Sequence, residues 1–291
     1  LGNVGGKLAG SLLRNGKDVM VRDLNDALVA TFVEKGAKAA ASPKAMAEAC
    51  DITITCLPSP AASAAVLEAE DGVLGAMVKA KGAEPIDCPV SGGCHRAATG
   101  NIAILAGCDR AAFDRMLPVL TVLGRRVLHT GPLGSASVLK VVTNYLATAN
   151  LISLTEALTT AKAAGMDLGT AYEAIKISSG NSFVHETESQ VILNGSRDIS
   201  FTMDLVLKDI GLFQTIADRA GVPLELNPKM IEIFEDGQRR YGPREWSPNI
   251  IRRLEDACNI KVLAPGFPAE ILDDEPEEPG YEVIPKGRVT K

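Results

Sequence analysis

"LGNVGGKLAGSLLRNGKDVMVRDLN", residues 1–25, decides how the rest of the chain is read. Gly2, Asn3, Val4 and Gly5 supply the last four positions of a GxGxxG fingerprint, and Leu8, Leu12 and Leu13 then recur at helical spacing. A run from Asp18 to Val21 reads as a strand and leads to Asp23. In a dinucleotide-binding βαβ unit such glycines let the backbone approach a pyrophosphate, whose charge sits at the helix N-terminus. The acid after the second strand hydrogen-bonds the ribose hydroxyls. Asp23 falls 18 residues after Gly5, close to the roughly 20 that this arrangement uses. It should repel a 2′-phosphate, so the cofactor expected is NAD rather than NADP; Arg22, on an alternating strand, should face away. The first glycine and the first strand are absent and no initiator Met is present, so the true N-terminus is expected to lie outside this sequence.

Working outward, "DITITCLPSP" (51–60) has the pattern of a buried strand stopped by Pro58, with a helical stretch from Ala61 to Leu67 behind it. "EPIDCPV" (84–90) reads as another strand, feeding Ser91, Gly92 and Gly93. Strands separated by helices predict an α/β fold with a doubly wound, parallel, Rossmann-type sheet. Ligands in such sheets gather at the carboxyl ends of strands, where Leu57 and Pro58 and the Ser91-Gly92-Gly93 loop both fall. Two adjacent glycines after an apolar run also mean that something approaches the backbone closely. This first domain is expected to span residues 1–134.

Beyond "RRVLHTGPLG" the pattern becomes helical, and residues 135–291 read as an all-α domain with an extended acidic tail. Ser135 or Ser137 can cap a long interdomain helix that runs toward Ala164, where Gly165 can end it. On it Lys140 and Asn144 stand four residues apart, hence on one face. A lysine in an apolar stretch loses solvation, which lowers its pKa and makes it usable as a proton donor or acceptor. The same pattern fits a lysine snorkelling from a buried helix, with an asparagine tying down a loop. The tail "DDEPEEPGYEVIPKGR" (273–288) lacks helical period and reads either as an arm packed on a partner subunit or as a solvated segment.

Composition excludes several classes. With 291 residues, 46% of them hydrophobic, 23% charged and a net charge of −6, the chain is neither disordered nor suited to nucleic acid. No run is apolar enough to cross a bilayer and no charged-then-apolar leader opens the sequence, so a cytoplasmic location is expected. The six cysteines form no CxxC pair and share no ligand spacing with His95, His129 and His185; free thiols and no metal are expected.

Taken together, the glycine loop Gly2–Gly5, "DCPVSGG" (87–93), "GPLGSASVLKVVTN" (131–144) and "FTMDLVLKDIGL" (201–212) resemble the 3-hydroxyisobutyrate dehydrogenase family of β-hydroxyacid dehydrogenases. The resemblance implies that Ser91, Gly92 and Gly93 bind the carboxylate of a small substrate and that Lys140 is the general acid and base. It also implies that Asn144 orients the substrate and that Lys208 approaches the cofactor held by Gly2, Asn3, Val4, Gly5, Asp23, Leu57 and Pro58. The activity implied is reversible, NAD-linked oxidation of a 3-hydroxyacid to its semialdehyde, in a homo-oligomer, dimer or tetramer. Relatives that reduce imines replace this lysine, and others have lost catalysis. A carbonyl or imine reductase and a nucleotide-binding protein without turnover are therefore the alternatives that Lys140 argues against. Two features depart from the pattern. "GVLGAM" (72–77) joins "VKAKGAEPID" (78–87) directly, where the family has a further strand, a Ser-Thr turn and a helix; the alternatives are a true deletion at the active-site wall and an omitted internal stretch, of which omission is expected. His95 and Arg96 follow the glycines, where they either read a second polar group of the substrate or lie at the surface.

Overall fold

The computed structural model describes residues 1–74 and 82–287, so the join after Met77 lies outside the described residues. The chain divides into two compact units, Leu1–Ser137 with Asp273–Lys291, and Val138–Leu272.

The first unit is an α/β assembly. Helix α1 (Gly5–Arg14) follows the glycine loop and leads to β1 (Met20–Val21), helix α2 (Asp26–Glu34) and β2 (Lys38–Ala39), which pairs parallel with β1. Helices α3 (Pro43–Ala49) and α4 (Pro60–Glu68) come next, each opened by a serine, Ser42 or Ser59, whose side chain accepts a first-turn N–H. The main sheet holds β3 (Val90–Ser91), β4 (Ala103–Gly107), β5 (Arg126–Gly131) and β6 (Tyr281–Glu282) in that order. Helix α5 (Gly93–Thr99) stands between β3 and β4, and α6 (Arg110–Leu123) is the crossover that parallel β4 and β5 require. Phe113, Leu120 and Leu123 of α6 pack on Ile104, Ala106 and Val127 of those strands, which fixes which face of the sheet the helix covers.

Three features differ from the sequence reading. Residues 51–57 form no ladder among the described residues, and Ile52 and Ile54 are 38% and 45% exposed. β-branched residues favour extended backbone, but a strand also needs a neighbour's N–H and C=O groups in register. The 84–90 run pairs only through Val90 and an isolated bridge at Asp87, and antiparallel to β4. Pro85 and Pro89 have no N–H to give to a ladder. The acidic tail, largely exposed, is tied into the first unit rather than into the helical one: β6 adds in parallel beside β5.

The second unit is helical. Helix α7 (Ser135–Ala163) spans 29 residues, its first turn in the first unit, and stops one residue before Ala164; Gly165, at φ +80°, takes the left-handed conformation that ends it. Helices α8 (Leu168–Lys176), α9 (Phe183–Asn194), α10 (Met203–Ala220), α11 (Leu226–Tyr241) and α12 (Arg252–Cys258) follow. Their core is Leu151, Leu154 and Leu158 of α7 against Ile192, Ile210, Met230 and Phe234. No helix among the described residues is long and apolar enough to cross a membrane.

Candidate functional site

The glycine loop opens α1 with Val4 at its N-cap and no side-chain cap; the N–H groups of Gly6 and Lys7 bond the carbonyls of Gly2 and Val4 at 2.9 and 3.0 Å. Among the described residues a Cβ on Gly2 would meet nothing within 4 Å, whereas one on Gly5 would lie 3.1 Å from the Cβ of Cys56. Gly5 therefore packs against Cys56, in the stretch that leads to Leu57 and Pro58. Asp23, two residues past β1, accepts from the N–H of Asn25 at 2.8 Å. A glycine loop at a helix start and an acid two residues past β1 fit a dinucleotide.

The Ser91-Gly92-Gly93 loop explains its own glycines. Gly92 and Gly93 have φ of +127° and +86°, which L side chains rarely adopt. Two neighbours also fill the space. A Cβ on Gly93 would meet the His95 ring at 2.7 Å, and one on Gly92 would meet Arg96 Cδ at 3.2 Å. His95 is therefore half-buried against the loop, and burial lowers its pKa. Part of the close approach that the glycines permit is made by the chain itself.

Asp87, which sequence reasoning missed, anchors the start of α7. Its carboxylate accepts from the N–H of Gly134 at 2.9 Å and from the N–H and hydroxyl of Ser137 at 2.8 and 3.0 Å. The expected serine caps act differently: Ser135 bonds the Thr130 hydroxyl at 2.7 Å, and Ser137 shares the carboxylate of a residue fifty positions away.

In the second unit, α7 and α10 bring four polar residues together. Asn144 donates to Asp209 at 2.6 Å, and the Lys208 ammonium lies 2.6 Å from the other oxygen of the same carboxylate. Tyr145 stacks on Phe213 at 4.0 Å, fixing the register of the two helices. Lys140 stands one turn before Asn144. Burial pushes its ammonium down to about 8; the charge of Asp209 opposes the shift and that of Lys208 adds to it. A lysine near that value exchanges a proton readily around neutral pH. Asp209 is the second residue that sequence reasoning missed; it is 6% exposed and joins two of the expected site residues. Lys208, expected at the cofactor, has its charge on Asp209.

All six cysteines are free, and burial raises the thiols of Cys56 and Cys88, the latter to about 12, so neither is a ready thiolate.

Comparison with known proteins agrees with this geometry. The NAD-binding domain of 6-phosphogluconate dehydrogenase matches residues 1–80 and 74–131, two pieces that meet at the join noted in the sequence. The model described as NAD-binding of NADP-dependent 3-hydroxyisobutyrate dehydrogenase matches residues 134–254. A 2-(hydroxymethyl)glutarate dehydrogenase of Eubacterium barkeri is 33% identical over 90% of this chain and 95% of its own. A NAD-dependent L-serine dehydrogenase of Pseudomonas aeruginosa is 28% identical over 88% of this chain and 96% of its own. The crystal structure of a 3-hydroxyisobutyrate dehydrogenase from Salmonella typhimurium superposes with a TM-score of 0.76 at 27% identity, covering 87% of this chain and 97% of that one. The chain belongs to the 3-hydroxyisobutyrate dehydrogenase family of NAD(P)-dependent β-hydroxyacid dehydrogenases.

Proposed function

We propose that the protein catalyses the reversible, NAD-linked oxidation of a small 3-hydroxyacid to its semialdehyde, with Lys140 as the general base of oxidation and the general acid of reduction. The observation that carries this reading is the partly desolvated Lys140 one helical turn from the Asn144–Asp209 hydrogen bond. The relatives named for 2-(hydroxymethyl)glutarate, L-serine and 3-hydroxyisobutyrate are named for compounds that share a hydroxymethyl group on the carbon beside a carboxylate. In this reading Ser91, Gly92 and Gly93 hold that carboxylate through a hydroxyl and backbone amides. Asn144, fixed by Asp209, orients the alcohol. A nicotinamide cofactor, when bound by Gly2–Gly5, Asp23, Leu57 and Pro58, accepts the hydride in oxidation. Neutral Lys140 takes the hydroxyl proton as the carbonyl forms, and its ammonium returns that proton in reduction.

Two expected outcomes follow from these placements. Asp23 should favour the free ribose hydroxyls, so kcat/KM should be higher with NAD than with NADP; the reverse order would remove Asp23 from cofactor selection. Because the carboxylate of Asp209 raises the Lys140 pKa, Asp209→Asn should lower it. The oxidation rate, which needs the neutral amine, should then reach half-maximum at a lower pH than in the wild type. A pH–rate midpoint that stays put or moves upward would show that Asp209 does not act on the titrating group.

A further inference from the structure

The C-terminal stretch reaches the short helix that follows the Ser91–Gly93 loop. Asp273, with 3% of its side chain exposed, accepts from the Thr99 hydroxyl and, at 2.7 Å, from the amide of Asn101. Two residues on, Glu275 accepts from the Arg96 guanidinium at 2.7 Å, and Arg125 lies 3.5 Å from its other oxygen. Arg96 and Thr99 are the middle and last residues of α5, so two carboxylates grip the short helix that the glycines open. From Arg96 the constraint passes back to the loop, because a Cβ on Gly92 would stand 3.2 Å from Arg96 Cδ and 3.6 Å from its Cβ. Downstream, the N–H groups of Tyr281 and Val283 bond the carbonyls of Arg125 and Val127 at 2.8 Å each, and a Cβ on Gly280 would stand 2.3 Å from the carbonyl oxygen of Gly124. Backbone that fits this closely is a built element. It also lies outside both family-model matches, which end at residues 131 and 254.

We infer that Asp273 and Glu275 are positioning residues for the Ser91–Gly93 loop: the acidic stretch clamps Arg96 and Thr99, so that α5 and the two glycines keep the conformation in which their amides can receive an anion. The inference rests on the reading of that loop as the substrate-carboxylate site. It differs from a merely stabilising role in what it affects: substrate affinity and local order at residues 89–100, with little change elsewhere.

The test compares the full-length protein with Asp273→Asn/Glu275→Gln and with the conservative Arg96→Lys, using Ser91→Ala as a control on the loop. Glu275→Gln alone serves if the double variant fails to fold, since it leaves the buried contacts of Asp273 in place. The neutralised variant should exchange amide hydrogens in the 89–100 peptide at least about tenfold faster, with peptides from α10 unchanged. Its KM for 3-hydroxyisobutyrate should rise about tenfold, while kcat and NAD affinity stay within about twofold. Arg96→Lys, which keeps the charge and stem, should stay near the wild type in both. Wild-type exchange in the neutralised variant would overturn the inference, as would a KM that ignores neutralisation yet rises in Ser91→Ala. If Ser91→Ala leaves KM unchanged, the reading of the loop has failed, and the exchange data alone then uphold or overturn the clamp.

Discussion

Lys140→Met should lower kcat for hydroxyacid oxidation by about 10²- to 10⁴-fold, the contribution typical of a positioned general acid or base. The substitution keeps an unbranched side chain with good helix propensity, and it removes a charge that burial already disfavours. Thermal stability and NAD binding should therefore survive. Asp209 keeps its contacts with Asn144 and Lys208, both of which are independent of Lys140. The same account fixes the pH profile of the wild type. Oxidation needs the neutral amine and so should climb with pH through about 8 and level off above it; reduction needs the ammonium and should fall over the same interval. If Lys140→Met retains more than about a tenth of wild-type kcat, another group carries the proton.

The anion loop should be nearly as sensitive. Ser91→Ala removes one hydrogen bond to a charged group, worth about 1.5–3 kcal/mol, which corresponds to roughly a ten- to hundredfold rise in KM. Gly92→Val should do more, because it forces a β-branched residue to φ +127° and sets its Cβ 3.2 Å from Arg96 Cδ. Backbone strain of that kind costs about 1–3 kcal/mol, so some loss of stability should accompany the rise in KM. NAD affinity should stay near the wild type in Ser91→Ala. A KM unchanged in both variants would remove the loop from substrate binding.

How much of this was legible in the sequence depends on the reach of each interaction. The glycine loop and α1 are local: four residues and an apolar repeat define them, and the structure places them as read. The long helix was legible for the same reason, down to Gly165 as its stop. Lys140 and Asn144 on one face follow from helical spacing alone. What could not be read is what the fold brings from afar. Asp87 bonds the start of α7 across 47 and 50 residues, and Asp209 meets Asn144 across 65; no spacing rule links such pairs. The nearest signal for Asp209 was its place in "LKDIGL", beside the lysine that drew attention instead.

The 51–57 run shows the opposite failure. Its alternation of β-branched residues is a sound strand pattern, yet pattern alone supplies no ladder partner. The contacts of the tail were illegible for a third reason. Acidic, proline-containing and aperiodic, it has no intrinsic structure to read; its order comes from Arg96, Arg125 and the edge of β5, none of which is near it in sequence. His95 and Arg96, odd on paper, are the residues that pack against the two glycines.

The central claim is that this chain turns over a 3-hydroxyacid with NAD through Lys140, and one measurement bears on it most directly. Purified protein is mixed with NAD and a panel of small 3-hydroxyacids, 3-hydroxyisobutyrate, L-serine and 2-(hydroxymethyl)glutarate among them, and the absorbance of reduced nicotinamide is followed above and below pH 8. The account predicts a steady rise with at least one of these acids, faster at the higher pH and lost in Lys140→Met. NAD binding without any rise from the whole panel, or a rise that persists undiminished in Lys140→Met, would contradict it.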